Sequence, residues 1–164
     1  MPLTGIPAAI AADPKLERVL ESAFSDADLS CVEGARVPLL AALLRAEHAP
    51  RALLAIVATG READGVVDAF RAYLPEAQVH AFPSWETLPH ERLSPSAETV
   101  GRRLGALRAL RAWRASARPA ASLSGPDAGS PGERSESKGP FVLVASVRAA
   151  LQPLLPGLDA IEPV

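Results

Sequence analysis

Two runs in this chain are apolar at every position and too short to be helices. Ala52-Leu53-Leu54-Ala55-Ile56-Val57-Ala58 and Phe141-Val142-Leu143-Val144-Ala145 have no polar residue alternating with the apolar ones. Such a run suits a strand covered on both faces, which is the environment of a parallel sheet. Parallel strands need a crossover, and the sequence after the first run supplies one. Thr59 and Glu62 stand three apart as a capping box. Ala63, Val66, Val67, Phe70 and Leu74 then fall on one face of a helix that Pro75 ends. Gln78 to Phe82 reads as the next strand. Strand, helix, strand is a βαβ unit with a right-handed crossover. The fold class is therefore α/β: a small, mostly parallel sheet of three or four strands flanked by helices.

The remaining elements are arranged around that unit. Asp13-Pro14 starts a helix, and Leu16, Val19, Leu20, Ala23 and Phe24 give it an apolar stripe, so 1–28 reads as an N-terminal helical segment. Leu29 to Glu33 is a short candidate strand punctuated by Gly34. A helix over about Arg36 to Glu47 buries Leu39, Leu40, Leu43 and Leu44. Ser146 caps a short helix from Val147 to Gln152, stopped by Pro153. The stretch 116–140 is rich in Pro, Gly, Ser and Ala with almost no large apolar residue. It cannot bury enough surface to offset its ordering entropy and reads as a disordered insertion. The α/β subdomain is thus 29–115 with 141–156, and 157–164 begins a linker. A sheet this small leaves a strand edge open, and an open edge invites association.

Composition narrows the functional classes. With 164 residues, 48% of them hydrophobic, one core is expected. A net charge of −2 gives no general attraction to nucleic acid. A single cysteine, Cys31, excludes an internal disulfide and fits a reduced, cytoplasmic setting. The start has no basic segment followed by a long apolar run, so no signal peptide is expected, and no stretch is long and apolar enough to span a membrane.

No catalytic constellation emerges. A phosphate-binding loop needs glycines, a lysine for the β/γ-phosphates and a hydroxyl for Mg²⁺. Gly-x-x-x-x-Gly-Lys-Ser/Thr occurs nowhere, and the turn expected to carry it, Val32 to Pro38, has one glycine and no lysine. Thr59-Gly60 is a second glycine turn at a helix start, where either an anion or its own capping box could sit. His48, His80 and His90 lack metal-ligand spacing. Arg102, Arg103, Arg108, Arg111, Arg114 and Arg118 concentrate positive charge, either as a solvated helix face or as a contact surface for phosphates.

The most particular stretch is Phe82 to Leu104, FPSWETLPHERLSPSAETVGRRL. Pro83, Pro89 and Pro95 make a stiff, extended loop, and a helix restarts with Ser94 as N-cap and Pro95 at its first position. That helix runs to about Ala115 with Val100, Leu104 and Leu107 on one face. Trp85 either fills the gap between loop and sheet or is an exposed anchor for another domain.

This stretch resembles a signature near the N-terminus of bacterial transcription-repair coupling factors (Mfd), which carry Trp-Glu-Thr-Leu-Pro, a Ser-Pro pair and a helix containing Arg-Leu. The matching residues are Trp85, Glu86, Thr87, Leu88, Pro89, Ser94, Pro95, Arg103 and Leu104. They are candidate motif and interdomain contacts. The resemblance implies a UvrB-like subdomain that has lost the ATPase motifs, and a fragment of a large, cytoplasmic ATP-driven DNA translocase. In that family ATP and Mg²⁺ belong to a distant motor. UvrA, RNA polymerase and DNA are engaged through domains beyond this segment. For this chain the resemblance implies a non-catalytic scaffold that binds other domains of the full-length protein, with no cofactor or metal of its own. The alternatives left open are a nucleotide-dependent hydrolase and a DNA-binding module, both using the Thr59-Gly60 turn and the Arg102–Arg118 helix.

Overall fold

A computed structural model describes residues 2–14, 28–46, 51–87, 94–117, 139–154 and 156–157. Helix α1 spans Gly5–Ala11. A 3₁₀ turn, Glu33–Ala35, leads into α2, Arg36–Leu43. Strand β1 (Ala52–Val57), helix α3 (Gly60–Tyr73) and strand β2 (Gln78–Phe82) come next. Then come α4 (Ala97–Ala117), β3 (Phe141–Ser146) and α5 (Val147–Leu151). The three strands form one parallel sheet in the order β1-β3-β2, with Ala52 and Gln78 both level with Phe141. The late strand β3 is thus inserted between the two strands of the early βαβ unit.

Each face of the sheet has its own helices. On one face Leu53, Ala55, Val57, Val79, Val142 and Val144 meet Ala63, Val67 and Phe70 of α3, with Ala41 and Leu44 behind them. Helix α3 forms there because its apolar residues recur at helical spacing and its first turn is capped as expected. Thr59 Oγ1 accepts from Glu62 N–H at 3.2 Å, and the Glu62 carboxylate accepts from Ala58 N–H at 3.2 Å. On the other face Phe82 and Ala145 pack with Ala106 of α4 and Ala149 of α5. Ser146 Oγ caps α5 by accepting from Ala149 N–H at 3.2 Å. Helix α1 rests on α2 through Ile10, Ala42 and Leu43. Arg45 ties that layer down: its Nε and Nη2 donate to the Glu76 carboxylate at 3.0 and 2.7 Å, and its Nη1 donates to Thr4 O.

Several expectations are corrected. Residues 28–32 are not a strand; Leu29 and Val32 are exposed, and among the described residues no neighbouring strand pairs with them. Helix α2 stops at Leu43 rather than Glu47. Strand β1 is covered on one face only, because α4 lies over β2 and β3 and leaves Leu54 57% and Ile56 52% exposed. Helix α4 begins at Ala97, not Pro95, and its most buried positions are Thr99, Arg103, Ala106 and Trp113 rather than the Val100, Leu104, Leu107 face. The amphipathic stripe 16–24, His48, His90 and most of the 116–140 stretch lie outside the described residues.

Gly139 sets how β3 enters the sheet. Its carbonyl accepts from Trp113 Nε1 at 3.1 Å, and the Trp113 ring tilts against Phe141 with centroids 5.7 Å apart. A Cβ built on Gly139 runs into the backbone carbonyl of Glu76, which cannot yield as a flexible side chain would. Gly139→Ala is therefore expected to cost about 2 kcal/mol or more through backbone displacement at the start of the central strand. A thermal melt checks this by a clear fall in Tm; an unchanged Tm would mean that the turn at Glu76 moves freely.

Candidate functional site

The stretch that links β2 to α4 folds back over the carboxyl end of the sheet. Proline at 83 prevents β2 from continuing, and the chain turns so that Trp85 and Glu86 face the first turns of α4. Arg103 lies one helical turn beyond Thr99 on the inward face of α4 and is only 1% exposed. Its guanidinium carbon sits 4.1 Å from the Phe82 ring centroid and 4.3 Å from that of Trp85, so the cation is enclosed between two aromatic faces. Arg103 Nη1 donates to Pro83 O at 2.7 Å and to Gln152 Oε1 at 3.3 Å. The same Gln152 oxygen accepts from Trp85 N–H at 2.7 Å. One side chain thus joins the end of β2, the proline loop, α4 and the end of α5. Burial pulls the pKa of Arg103 below the usual arginine value, and a guanidinium keeps its charge under such a shift. Its Nε and Nη2 are buried without a hydrogen-bond partner.

Glu86 is the second anchor. Its carboxylate accepts from Ser96 N–H at 3.1 Å, from Ser96 Oγ at 2.9 Å and from Thr99 Oγ1 at 2.7 Å. Ser96 Oγ in turn accepts from Thr99 N–H at 3.2 Å, which makes Ser96 the cap of α4. This corrects the placement of the cap at Ser94: Ser94 is exposed, Pro95 lies before the helix, and the acid ten residues upstream selects Ser96. A negative charge at a helix start is favourable, and three donors converge on it. The hydrogen bonds from Thr99 and Ser96 hold the Glu86 pKa below its usual value.

The other signature residues divide. Thr87 and Leu104 are half-buried, and Leu88 and Pro89 lie outside the described residues. The structure thus brings together Trp85, Glu86 and Arg103. It adds Phe82, Thr99 and Gln152, which sequence reasoning did not select. Only the recurrence of 99, 103 and 106 at helical spacing could have pointed to a buried arginine face.

A crevice of about 210 Å³ opens beside this cluster, lined by Gly60, Ser84, Glu86, Thr99, Arg102 and Ser146. It lies at the carboxyl end of β2 and β3, where α/β sheets ordinarily bind ligands. Here several of the groups that could receive an anion have internal partners. Glu86 occupies the start of α4, Glu62 occupies the start of α3, and Arg102 donates to Asp64 at 2.9 Å. Among the described residues no three His, Cys, Asp or Glu side chains come together as metal ligands, and Cys31 is exposed. No helix among them is long and apolar enough to cross a membrane.

The cluster makes a pH prediction. Half-buried His80 stacks on Phe141 at 5.2 Å, and burial, then the Arg71 charge, lowers its pKa from 6.5. Both His80 and Glu86 therefore titrate lower in the folded state than in the unfolded chain. Each contributes stability above its unfolded pKa that is lost as pH falls. Stability should decline first below about pH 6.5 through His80 and again below about pH 4.5 through Glu86. Glu86→Gln should lower Tm at neutral pH and abolish the second decline. Parallel Tm–pH curves for the two proteins would refute the role given to the carboxylate.

No protein-family model matches the chain. Transcription-repair-coupling factors from Mycobacterium bovis and Mycobacterium tuberculosis are each 38% identical to it over 164 residues. The match covers 99% of this chain and 12% of each relative, so the chain spans about an eighth of their length. That alignment takes in the whole sheet and both anchors of the proline loop. Over nearly its whole length, then, the chain is similar to one segment of the transcription-repair-coupling factors.

Proposed function

We propose that this chain is a non-catalytic, UvrB-like scaffold and interaction module of a transcription-repair-coupling factor, acting in transcription-coupled excision repair in the cytoplasm. ATP-driven translocation on DNA, displacement of stalled RNA polymerase and recruitment of UvrA belong, on this reading, to other domains of the full-length protein. The chain itself takes no cofactor. The observation that carries the reading is the pair of glutamates at the helix starts. Glu62 accepts Ala58 N–H and Glu86 accepts Ser96 N–H, each beside a helix start where a triphosphate would sit, and a phosphate placed there would meet a carboxylate. No lysine occurs in either turn. The residues at this end of the sheet therefore do not suit a Mg²⁺-bound triphosphate. The hydrolase and DNA-binding alternatives also lose Arg103, which is enclosed by rings and unavailable to a phosphate.

Calorimetric titration of the chain with Mg²⁺-ATP tests the proposal. The expected result is no saturable heat. Stoichiometric binding at micromolar affinity would contradict it and would favour the nucleotide-dependent alternative.

A further inference from the structure

The guanidinium of Arg103 has two donor edges, and the chain uses one of them. Nη1 donates to Pro83 O and to Gln152 Oε1. Nε and Nη2, which share the other edge, are buried with no acceptor. The charge is uncompensated as well. Among the described residues no carboxylate pairs with Arg103, and Glu86, in the same loop, spends its carboxylate on Ser96 and Thr99. A buried cation lacking both a counter-ion and part of its acceptors is costly. The parallel N–H groups of such an edge are matched by the two oxygens of a carboxylate. Phe82 and Trp85 cover the two faces of the guanidinium, so the direction left for a ligand lies in its plane. A flat carboxylate suits that slot, whereas a tetrahedral phosphate cannot lie flat between the rings.

We propose that the Nε–Nη2 edge of Arg103 is a recognition site for an aspartate or glutamate side chain supplied by another part of the full-length protein. This rests on the reading of the chain as an interaction module and names the chemistry of its partner. Both donors are closed to water, so the entering acid displaces part of the cover. Trp85 is the displaceable part. Phe82 is fixed in β2, but the Trp85 backbone is held to α5 by one bond, its N–H to Gln152 Oε1 at 2.7 Å. The seated acid would neutralise the cation and pair both free donors at once.

Formate, the smallest carboxylate, is the probe for the ¹⁵N-labelled 164-residue chain. The Arg103 Nε–H resonance, identified by its loss in Arg103→Lys, should move downfield and saturate at millimolar formate. Chloride and phosphate at matched ionic strength should not reproduce the shift, and Arg114→Ala, at an exposed arginine of the same helix, should leave it intact. In the full-length protein, hydrogen exchange at Trp85 and Glu86 should be roughly tenfold or more slower than in the 164-residue chain, and Arg103→Lys should remove the difference. No formate shift, or an equal one with chloride, would overturn the proposal. A formate shift without protection in the full-length protein, or protection that survives Arg103→Lys, would overturn the protein source and leave a free carboxylic acid as the ligand. None of these readouts involves nucleotide, so their failure leaves the scaffold reading to the Mg²⁺-ATP titration.

Discussion

The enclosure of Arg103 is the interaction on which the carboxyl end of this sheet depends. A buried cation is costly unless its surroundings replace water. Here two aromatic faces and two oxygen acceptors do so, while two N–H groups stay unpaired. The arrangement is stable only if all of its contributors are in place together. Phe82 comes from β2, Trp85 from the loop and Gln152 from the end of α5, so a displacement of any one exposes the charge imbalance to the others. A lysine could not serve, because a point charge neither lies flat between rings nor divides its donors in a planar fork.

Around that cation three helix starts carry caps from within the chain. Thr59 and Glu62 close α3, Glu86 and Ser96 close α4, and Ser146 closes α5, all at the end of the sheet where α/β proteins usually leave such groups for a ligand. A carboxylate at a helix start neutralises the same partial charge that a phosphate would. Internal capping and ligand binding are competing uses of such N–H groups. That physical competition connects the proline loop to the proposed role as a scaffold.

Much of the architecture was legible because local signals agreed with one another. The apolar runs gave the strands, and Thr59 and Ser146 gave two caps with their partners at the expected spacing. The failures came where long-range contacts outrank local ones. Ser94-Pro95 looks like a helix start, but Glu86, far upstream, draws the cap to Ser96. Arg103 looks like one more exposed arginine, and only the rings of Phe82 and Trp85 make its burial possible. The apolar run of β1 implied cover on both faces, yet helix coverage is set by where α4 crosses the sheet, which no short stretch encodes. Trp85, Glu86 and Arg103 were singled out by their resemblance to a family signature; their joint geometry was not readable from spacing.

A double-mutant cycle between Trp85 and Arg103 probes this enclosure, using denaturant unfolding of wild type, Trp85→Leu, Arg103→Lys and the double variant. If the guanidinium depends on the indole face, the two substitutions should be strongly non-additive, with a coupling energy of about 1 kcal/mol or more. Additive losses, with a coupling energy near zero, would mean that the ring and the cation merely lie close together, and Arg103 would not be what holds the loop to the sheet.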